Sequence, residues 1–351
     1  MTKTKLAFYM GYSVGFNGQN YNTKNVFGSE ITALKLAESL TDIYDVYIFV
    51  NIPLEDEIIY NNVHYLQLYK INDYEPFDIL IILRYLNYFL YCNHNAKKTY
   101  IWITDSIINP MYNGDRLPNN GSFLINNMKN KINGLVFVSE WQAQNSSNVI
   151  NLNDFNKYVI PNPLDISYYK DNIVKRPNSF IYTSDPSRGL DILLHCLIYI
   201  QKIIPTISLT VFRSNEFDDT IKTLIQKINN VTIFDKVSQQ IIADKCLESE
   251  YFFYPTNVPE TFCNCAAEAQ LYHCVCIYNN VGGLSTTVGN RGLPIHSNIN
   301  DIDYVEKTST LIIELINNTT KKNTFIDQGH QWAKTLNIHY IKQHWLSLFN
   351  A

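Results

Sequence analysis

The sequence predicts an α/β protein built from two parallel-sheet domains, and three observations support this prediction. Short β-rich runs alternate with helical or irregular pieces, as in parallel sheets that are covered by helices. The chain has 351 residues, which is long for a single hydrophobic core. The alternation stops at a polar, proline-containing stretch, residues 164–178, and then begins again, so we expect the domain linker there.

The composition is that of a globular protein. Charged residues make up 17% of the chain and hydrophobic residues 46%. A formal charge of −4 gives no reason to expect a nucleic-acid partner. The first residues lack the apolar core of a secretory signal, and no apolar run is long enough to span a bilayer. We therefore expect a cytoplasmic protein without a transmembrane segment, for which peripheral membrane contact stays open.

The 7 cysteines are expected to be reduced thiols, because their number is odd and no secretory signal precedes them. Cys263 and Cys265, followed by Cys274 and Cys276, superficially resemble a zinc site. Residues two apart on a helix point to nearly opposite faces, however, so the first pair is poorly placed to share a metal. We expect buried thiols and no metal site.

The first half of the chain contains the strands of an N-terminal sheet. A strand over residues 5–10 precedes a glycine- and asparagine-rich loop, and an amphipathic helix begins at Ser29 and Glu30. This arrangement presents backbone amides to phosphate, although a loop that only connects two elements is equally common. Further strands are predicted at residues 45–50, 63–68, 78–83, 100–104, 134–138 and from 157 onward.

Ligands of open parallel sheets bind beyond the carboxyl ends of the strands. In the N-terminal sheet this edge carries Gly11, Arg84, Asp105 and Ser139. Asp105 directly follows the buried-looking run YIWIT, so a carboxylate is placed at the end of a central strand. An N-cap or turn acid is an equally common interpretation of Asp105.

The second half repeats the alternation. A strand over residues 180–183 leads into a small-residue loop that contains Arg188, where a guanidinium group could meet a phosphate with two hydrogen bonds. The alternative is a surface arginine on a first helical turn, which is an unfavourable position for a cation. The remaining elements are strands at 208–212 and 231–234, helices at 190–200, 220–228 and 239–247, and one long C-terminal helix over 327–349.

Residues 251–284 are predicted to form a strand, a loop, a helix over 261–273 and a second strand. Glu260 lies in the loop and Glu268 in the helix, about 12 Å apart by helical rise, so the two carboxylates bracket an elongated ligand. A diphosphate flanked by two sugars fits this spacing, and so does a solvated helix with two surface acids. The helix start offers backbone amides that favour anionic or hydroxyl-rich groups, those of Thr261, Phe262 and Cys263.

Five short motifs follow one another along the chain. They are Gly28-Ser29-Glu30 opening a helix, FVSEW at 137–141, VIPNPLD at 159–165, YTSDPSRGL at 182–190, and Glu260 with Glu268 at the E-x7-E spacing before Gly282-Gly283. Each is weak alone, whereas five in the right order are a strong signal that covers nearly the whole chain. In these motifs and their order the sequence resembles the retaining, nucleotide-sugar-dependent glycosyltransferases of the GT-B fold, family 4 among them.

The resemblance implies a GT-B fold of two Rossmann-like parallel-sheet domains with a cleft between them. Residues 1–165 would form the acceptor-side domain, 166–330 the nucleotide-sugar-binding domain, and 331–351 a helix that packs back on the first domain. The implied reaction moves a hexose from a UDP- or GDP-sugar to an acceptor hydroxyl with retention, without a metal or other cofactor. Glycan, lipid-linked or protein acceptors, and a role in glycan biosynthesis, would follow.

The resemblance also implies roles for individual residues. Glu268 would hold the ribose hydroxyls, Glu260 the transferred sugar, and Arg188 the diphosphate leaving group, which the amide of Gly28 would also approach. The catalytic residues would be Glu260, Arg188 and Asp105. The donor-binding residues would be Gly28, Ser184, Arg188, Lys236, Val237, Thr261, Phe262, Cys263 and Glu268.

Several positions depart from the family pattern. Cys263 stands where glycine usually follows Glu-x-Phe, Thr104 replaces the histidine of a His-Asp pair, and Pro163 replaces a turn glycine. A second basic residue near the diphosphate has no clear counterpart, with Lys236 or Arg213 as candidates. These departures leave two alternatives open, a nucleotide-sugar 2-epimerase of the same fold and a catalytically weak nucleotide-sugar-binding subunit.

Overall fold

A computed structural model describes residues 3–11, 13, 15–21, 26, 28–52, 57–74, 76–92, 96–106, 111–112, 115–116, 122–149, 151–171, 174–212, 216–235 and 237–351. The chain forms two compact units, one of Met1–Pro163 with Ile338–Ala351 and the other of Leu164–Asn337. The sequence prediction placed the domain boundaries after residue 165 and after residue 330. Each unit contains its own parallel sheet, which confirms the predicted fold class of two Rossmann-like parallel-sheet domains.

The sheet of the first unit has eight strands. Its strands are β1 (Thr4–Tyr9), β2 (Tyr44–Val50), β3 (Ile58–Tyr60), β4 (Val63–Gln67), β5 (Phe77–Leu83), β6 (Ala96–Ile103), β9 (Gly134–Phe137) and β10 (Lys157–Val159), while β7 (Met111–Tyr112) and β8 (Asp115–Arg116) form a separate antiparallel pair. The spatial order is β10-β9-β6-β5-β1-β2-β4-β3, and every pair is parallel except β3 with β4. The central strands are nearly continuous apolar runs, because helices cover both faces of such a sheet.

The sheet of the second unit has six parallel strands in the order β13-β12-β11-β14-β15-β16. They are β11 (Arg176–Tyr182), β12 (Ser208–Phe212), β13 (Val231–Phe234), β14 (Ser249–Tyr254), β15 (Val275–Asn279) and β16 (Leu293–Ile295). β11 and β14 are neighbours at the centre of this sheet, so the loops that follow them meet at one edge.

The helices are divided between the two units, and the last helix of the chain belongs to the first unit. In chain order the helices are α1 (Gly28–Leu40), α2 (Tyr88–Tyr91), α3 (Ser122–Met128), α4 (Glu140–Val149), α5 (Leu190–Ile200), α6 (Asp219–Ile225), α7 (Gln239–Glu248), α8 (Asn264–Leu271), α9 (Leu284–Thr287), α10 (Tyr304–Ile316), α11 (Thr319–Lys334) and α12 (Ile338–Asn350). The sequence prediction missed the strands β3, β7, β8 and β16, and in the second unit it missed the helices α9 and α10. In the described part of the chain, no helix has both the length and the apolar character needed to cross a membrane.

The single C-terminal helix predicted over residues 327–349 is wrong, because α11 ends at Lys334 and α12 begins at Ile338. The backbone between them pairs with the segment that enters the second unit. The carbonyl of Leu336 accepts a hydrogen bond from the Leu164 amide at 2.8 Å, and Asn337 forms a β-bridge with Leu164. These long-range bonds replace the helical ones at this point.

Helix α12 is held on the first unit by aromatic contacts, by hydrogen bonds to its last turn and by an ion pair. Trp345 is fully buried and packs edge-on against Trp102 of β6, with ring centroids 4.9 Å apart. The Lys342 ammonium lies 2.6 and 2.7 Å from the two carboxylate oxygens of Asp42. This ammonium lowers the pKa of Asp42.

Replacing Trp345 by alanine should lower the free energy of unfolding of the first unit by about 3–5 kcal/mol, because it removes a buried indole from a close-packed core. The matched control is Tyr340→Ala on the same helix, where the ring is 58% exposed. Denaturant unfolding would measure both changes. Equal stabilities of the two variants would contradict the account of α12 as part of this core.

Candidate functional site

Three predicted site residues of the second unit meet at the carboxyl ends of β11 and β14, namely Ser184, Arg188 and Glu260. Arg188 lies in the loop after β11 and Glu260 in the loop after β14. A guanidinium nitrogen of Arg188 (Nη1) is 3.4 Å from the Glu260 carboxylate (Oε1). The Arg188 side chain is 35% exposed and that of Glu260 22%, so both groups remain accessible to a ligand.

Tyr254, the last residue of β14, is a member of this site that the sequence prediction missed. Its hydroxyl donates a hydrogen bond of 2.7 Å to Glu260 Oε1 and lies 3.1 Å from the hydroxyl of Ser184. Its side chain is 1% exposed, so the phenol is fixed by the sheet. The only signal in the sequence is the position of Tyr254 at the carboxyl end of the apolar run YFFY. The structure thus brings Ser184, Arg188 and Glu260 together around one tyrosine.

The loop after β11 is shaped by local hydrogen bonds. Asp185 caps the short turn that contains Arg188, with its carboxylate accepting from the amide and hydroxyl of Ser187 at 2.9 and 2.7 Å. Gly189 follows with φ +97°, and a Cβ atom there would lie 2.4 Å from the carbonyl oxygen of Pro255. Only glycine permits this close approach of the two loops, which places Arg188 beside Glu260.

Two glycines after β15 support the backbone of Glu260. Gly282 has φ +60°, and a Cβ atom on it would lie 2.7 Å from both the nitrogen and the oxygen of Glu260. The Gly283 amide donates a 2.6 Å hydrogen bond to the Glu260 carbonyl. The loop that carries Glu260 therefore lies directly against both glycines.

The predicted helix start at Thr261 is wrong, since α8 begins at Asn264. Cys263 has φ +70°, a left-handed conformation that a helical residue does not adopt and that glycine adopts most readily. The amides of Thr261, Phe262 and Cys263 therefore belong to the loop before the helix and not to its first turn. This backbone conformation gives a physical reason for the glycine that the glycosyltransferases resembled by the sequence usually carry at the position of Cys263.

Phe262 contributes to the core rather than offering its side chain to a ligand. Its side chain is 3% exposed and its ring lies 6.4 Å from that of Trp332. Its carbonyl oxygen accepts a hydrogen bond from the hydroxyl of Thr287. Both contacts fix the loop in front of α8.

Glu268 lies on α8 and has a different environment from Glu260. The side-chain amide of Gln239 (Nε2) donates a 3.2 Å hydrogen bond to Glu268 Oε1. Burial raises the pKa of Glu268 to about 7, and the negative charge of Asp165 adds to this rise. The predicted donor residue Val237 lies in the loop between β13 and α7, two residues before Gln239. The other predicted donor residue of this loop, Lys236, lies outside the described residues.

The thiols of Cys265 and Cys276, on α8 and on the neighbouring strand β15, donate hydrogen bonds to carbonyl oxygens. The sulfur of Cys265 lies 3.5 Å from the Thr183 oxygen and that of Cys276 lies 3.6 Å from the Ala266 oxygen. Burial raises the pKa of Cys265 to about 12, which favours the protonated thiol. No group of three or more potential metal ligands occurs within the described ranges.

The predicted site residues of the first unit are linked through Arg84. Its guanidinium group pairs with the carboxylates of Glu30 and Asp105, each at 3.6 Å, and hydrogen-bonds to the hydroxyl of Thr104 at 3.2 Å. A further hydrogen bond runs to the hydroxyl of Ser29, next to Gly28 at the start of α1. The sequence placed Arg84 at this edge but assigned it no role.

Gln142 fixes the backbone that carries Asp105. This fully buried residue of α4 donates from Nε2 to the carbonyl oxygens of Ile103 at 3.0 Å and Asp105 at 2.6 Å. Its Oε1 accepts from the Val138 amide at 2.7 Å. The ends of β6 and β9 are therefore tied together through one amide side chain, which the sequence prediction missed.

No protein-family model matches the sequence, and no curated protein matches it. Solved structures with the same fold do match. Sucrose-phosphate synthase from Thermosynechococcus elongatus superimposes with a TM-score of 0.76 at 14% identity, covering 99% of this chain and 98% of that one. Anabaena HepE in complex with UDP-glucose gives a TM-score of 0.71 at 15% identity, covering 99% and 100%.

A third similar structure is that of Staphylococcus aureus TarM, with a TM-score of 0.60 at 20% identity over 78% of this chain. A TarM mutant was crystallised with fondaparinux, α-GlcNAc-glycerol and UDP. The chain spans only 55% of the TarM length. At these identities the similarity shows the fold alone, and this fold is the GT-B arrangement of two parallel-sheet domains.

Replacing Gly282 by alanine should lower the free energy of unfolding by about 2 kcal/mol or more, because the positive φ is strained and the new methyl group meets the Glu260 backbone. Gly289→Ala is the matched control, since φ there is +52° but the nearest atom to its Cβ is 3.9 Å away, on the flexible end of Arg291. Thermal unfolding of both variants would separate the clash from the backbone strain. A Gly282 variant no less stable than the Gly289 variant would contradict the close approach.

Replacing Glu268 by glutamine should stabilise the protein in a pH-dependent way. The folded pKa of about 7 lies above the ordinary 4.5, so the folded state binds the proton more tightly and stability falls as the pH rises from about 4.5 to about 7. The neutral variant does not lose stability in this pH range. Its free energy of unfolding should exceed that of the wild type by about 1–3 kcal/mol at about pH 8 and by little at about pH 5. Denaturant unfolding at both pH values measures the gain. An equal effect at both would refute the raised pKa.

Proposed function

We propose that the chain is a retaining hexosyltransferase that moves a sugar from a nucleotide diphosphate sugar to an acceptor hydroxyl without a metal ion. The observation that carries this proposal is the arrangement at the edge of the second sheet. An arginine and a carboxylate, Arg188 and Glu260, face each other there at 3.4 Å, and Glu268 follows on the next helix. A cation suits a diphosphate, and carboxylates suit sugar and ribose hydroxyls.

The chemistry of this arrangement is mainly electrostatic. Arg188 stabilises the charge that develops on the diphosphate leaving group, a contribution of about 3–4 kcal/mol for one well-placed donor. Glu260 holds hydroxyls of the transferred sugar and Glu268 those of the ribose. We assign no covalent nucleophile, and the leaving phosphate helps to deprotonate the acceptor on the same face of the sugar. Asp105 is the third proposed catalytic residue, as a contact for the acceptor.

The donor is proposed to be a UDP- or GDP-sugar, and a glycan, a lipid-linked sugar or a protein is the proposed acceptor. UDP in the TarM structure and UDP-glucose in the HepE structure support a UDP-sugar over a GDP-sugar as the donor. The remaining proposed donor contacts are Ser184, Val237 and the loop amides before α8, together with Gly28 of the first unit and Lys236. A cytoplasmic location and a role in glycan biosynthesis belong to the same proposal.

A catalytically weak subunit that binds nucleotide sugars is the second candidate, and two observations favour it. Cys263 keeps a side chain at φ +70°, where the family's glycine would leave more room beside the donor sugar. Thr104 stands in place of the family's histidine, and its hydroxyl is already engaged by Arg84 at 3.2 Å. Tight donor binding without turnover in any acceptor mixture, rescued by a partner, would identify such a subunit. Release of a free epimerised sugar without an acceptor would identify the 2-epimerase instead.

The purified protein should hydrolyse or transfer at least one sugar from a panel of UDP-glucose, UDP-galactose, UDP-N-acetylglucosamine and GDP-mannose. Glu268→Ala should weaken UDP binding by about 10- to 100-fold at about pH 8, where Glu268 is ionised and the ribose loses hydrogen bonds to a charged group. Arg188→Ala should mainly lower kcat, by about 100- to 1,000-fold. Calorimetry and a product assay measure the two effects.

The matched controls carry the same substitutions away from the proposed site. Glu314→Ala changes an exposed glutamate of α10, and Arg176→Ala changes an exposed arginine at the start of β11, at the opposite end of the strand from Arg188. Both controls should retain wild-type binding and turnover. If no nucleotide sugar binds to the wild type or shifts its melting temperature, the proposed function is refuted.

A further inference from the structure

The carboxylate of Glu260 is bound to the protein through one oxygen. Oε1 accepts from Tyr254 at 2.7 Å and lies 3.4 Å from Arg188 Nη1. Among the described residues, no hydrogen bond to Oε2 is observed. An ionised carboxylate has about four acceptor positions and no donor. The oxygen that faces away from Tyr254 is therefore available to accept a hydrogen bond from a ligand.

The hydroxyl groups of Tyr254 and Ser184 carry one proton each, and this fixes the direction of the hydrogen bond between them. A phenol carries a single O–H, and that of Tyr254 is donated to Glu260 because the paired carboxylate only accepts. The 3.1 Å contact between Ser184 and Tyr254 must then be donated by Ser184. Once the Ser184 proton is used in this way, its oxygen can only accept from a ligand. One buried phenol thus decides the hydrogen-bonding character of two predicted donor contacts.

The phenol itself is held rigidly. Tyr254 is 1% exposed and lies on a central strand, and its ring centroid is 6.0 Å from that of Tyr182 on the neighbouring strand β11. The Tyr182 hydroxyl donates a 2.7 Å hydrogen bond to the Asp185 carbonyl, in the loop that carries Ser184 and Arg188. The two tyrosines therefore connect the ends of β11 and β14 to the two loops of the site by hydrogen bonds.

We propose that Tyr254 is a positioning residue that orients Glu260 and Ser184 as hydrogen-bond acceptors for hydroxyl groups of the donor sugar. This inference rests on the proposed function, because it requires a sugar at this edge of the sheet. It predicts that the site selects ligands that donate hydrogen bonds. A donor sugar in which a contacted hydroxyl is replaced by fluorine, which accepts but does not donate, should bind poorly.

The test compares Tyr254→Phe with the wild type and with Tyr251→Phe, which removes an equally buried phenol three residues earlier on the same strand. The ligands are UDP alone, the panel sugar with the highest turnover and its singly deoxyfluorinated analogues. Tyr254→Phe should lower kcat/KM for the intact donor by about 10- to 100-fold, as expected for a lost hydrogen bond to a charged group. Its affinity for UDP alone and the activity of Tyr251→Phe should stay within about twofold of the wild type.

A coupling measurement distinguishes positioning from a merely structural role. In the wild type, kcat/KM for one fluorinated analogue should be much lower than kcat/KM for the intact donor. The ratio of the two values should be about tenfold smaller in Tyr254→Phe, because the sugar hydroxyl and the tyrosine act through the same carboxylate. A penalty that is the same in both proteins, or an unchanged kcat/KM, overturns the inference while leaving the proposed function intact.

A crystal structure of Tyr254→Phe keeps the inference testable even if the wild type turns over none of the panel, a result that would count against the proposed function instead. The Glu260 carboxylate should rotate away from its wild-type position, and the Ser184 hydroxyl should change its partner. A carboxylate that keeps its position without the phenol overturns the role of Tyr254.

Discussion

Two hydrogen-bond donors meet at one oxygen of Glu260: Tyr254 at the end of β14, and Arg188 in the loop after the neighbouring strand β11. The surrounding structure is arranged so that they can meet. Gly189 lets the first loop approach Pro255, and Gly282 and Gly283 lie directly against the backbone of Glu260. Tertiary contacts at the sheet edge, and not the helix after it, therefore place the carboxylate.

The site has a cost in stability that is characteristic of functional residues. Glu268 is half-buried with a pKa raised to about 7, and Cys263 holds a backbone conformation that is unfavourable for a side chain. In the first unit, Arg84 also adopts a positive φ, of 54°, while it pairs with two carboxylates. Glu268 and Cys263 were both predicted as donor contacts, whereas Arg84 was predicted only to lie at the edge of the site in the first unit.

The sequence was sufficient for those parts of the fold and site that depend on local pattern. Apolar runs of strand length predicted β12 and β13 to the residue, and the loop position of Arg188 predicted its place at the sheet edge. Tyr254 was missed because its role depends on the pairing of β14 with β11, which no local pattern contains. The break between α11 and α12 was missed for the same reason, since it depends on hydrogen bonds to Leu164, a residue distant in the sequence. The start of α8 was misplaced because a positive φ at a cysteine has no local signature.

A crystal structure of the protein with UDP-glucose tests the central claim most directly. The account predicts that the diphosphate contacts Arg188, that the ribose hydroxyls contact Glu268, and that a sugar hydroxyl donates to Glu260 Oε2. A nucleotide sugar bound elsewhere, with Arg188 still paired to Glu260 and Glu268 still bonded only to Gln239, would contradict it.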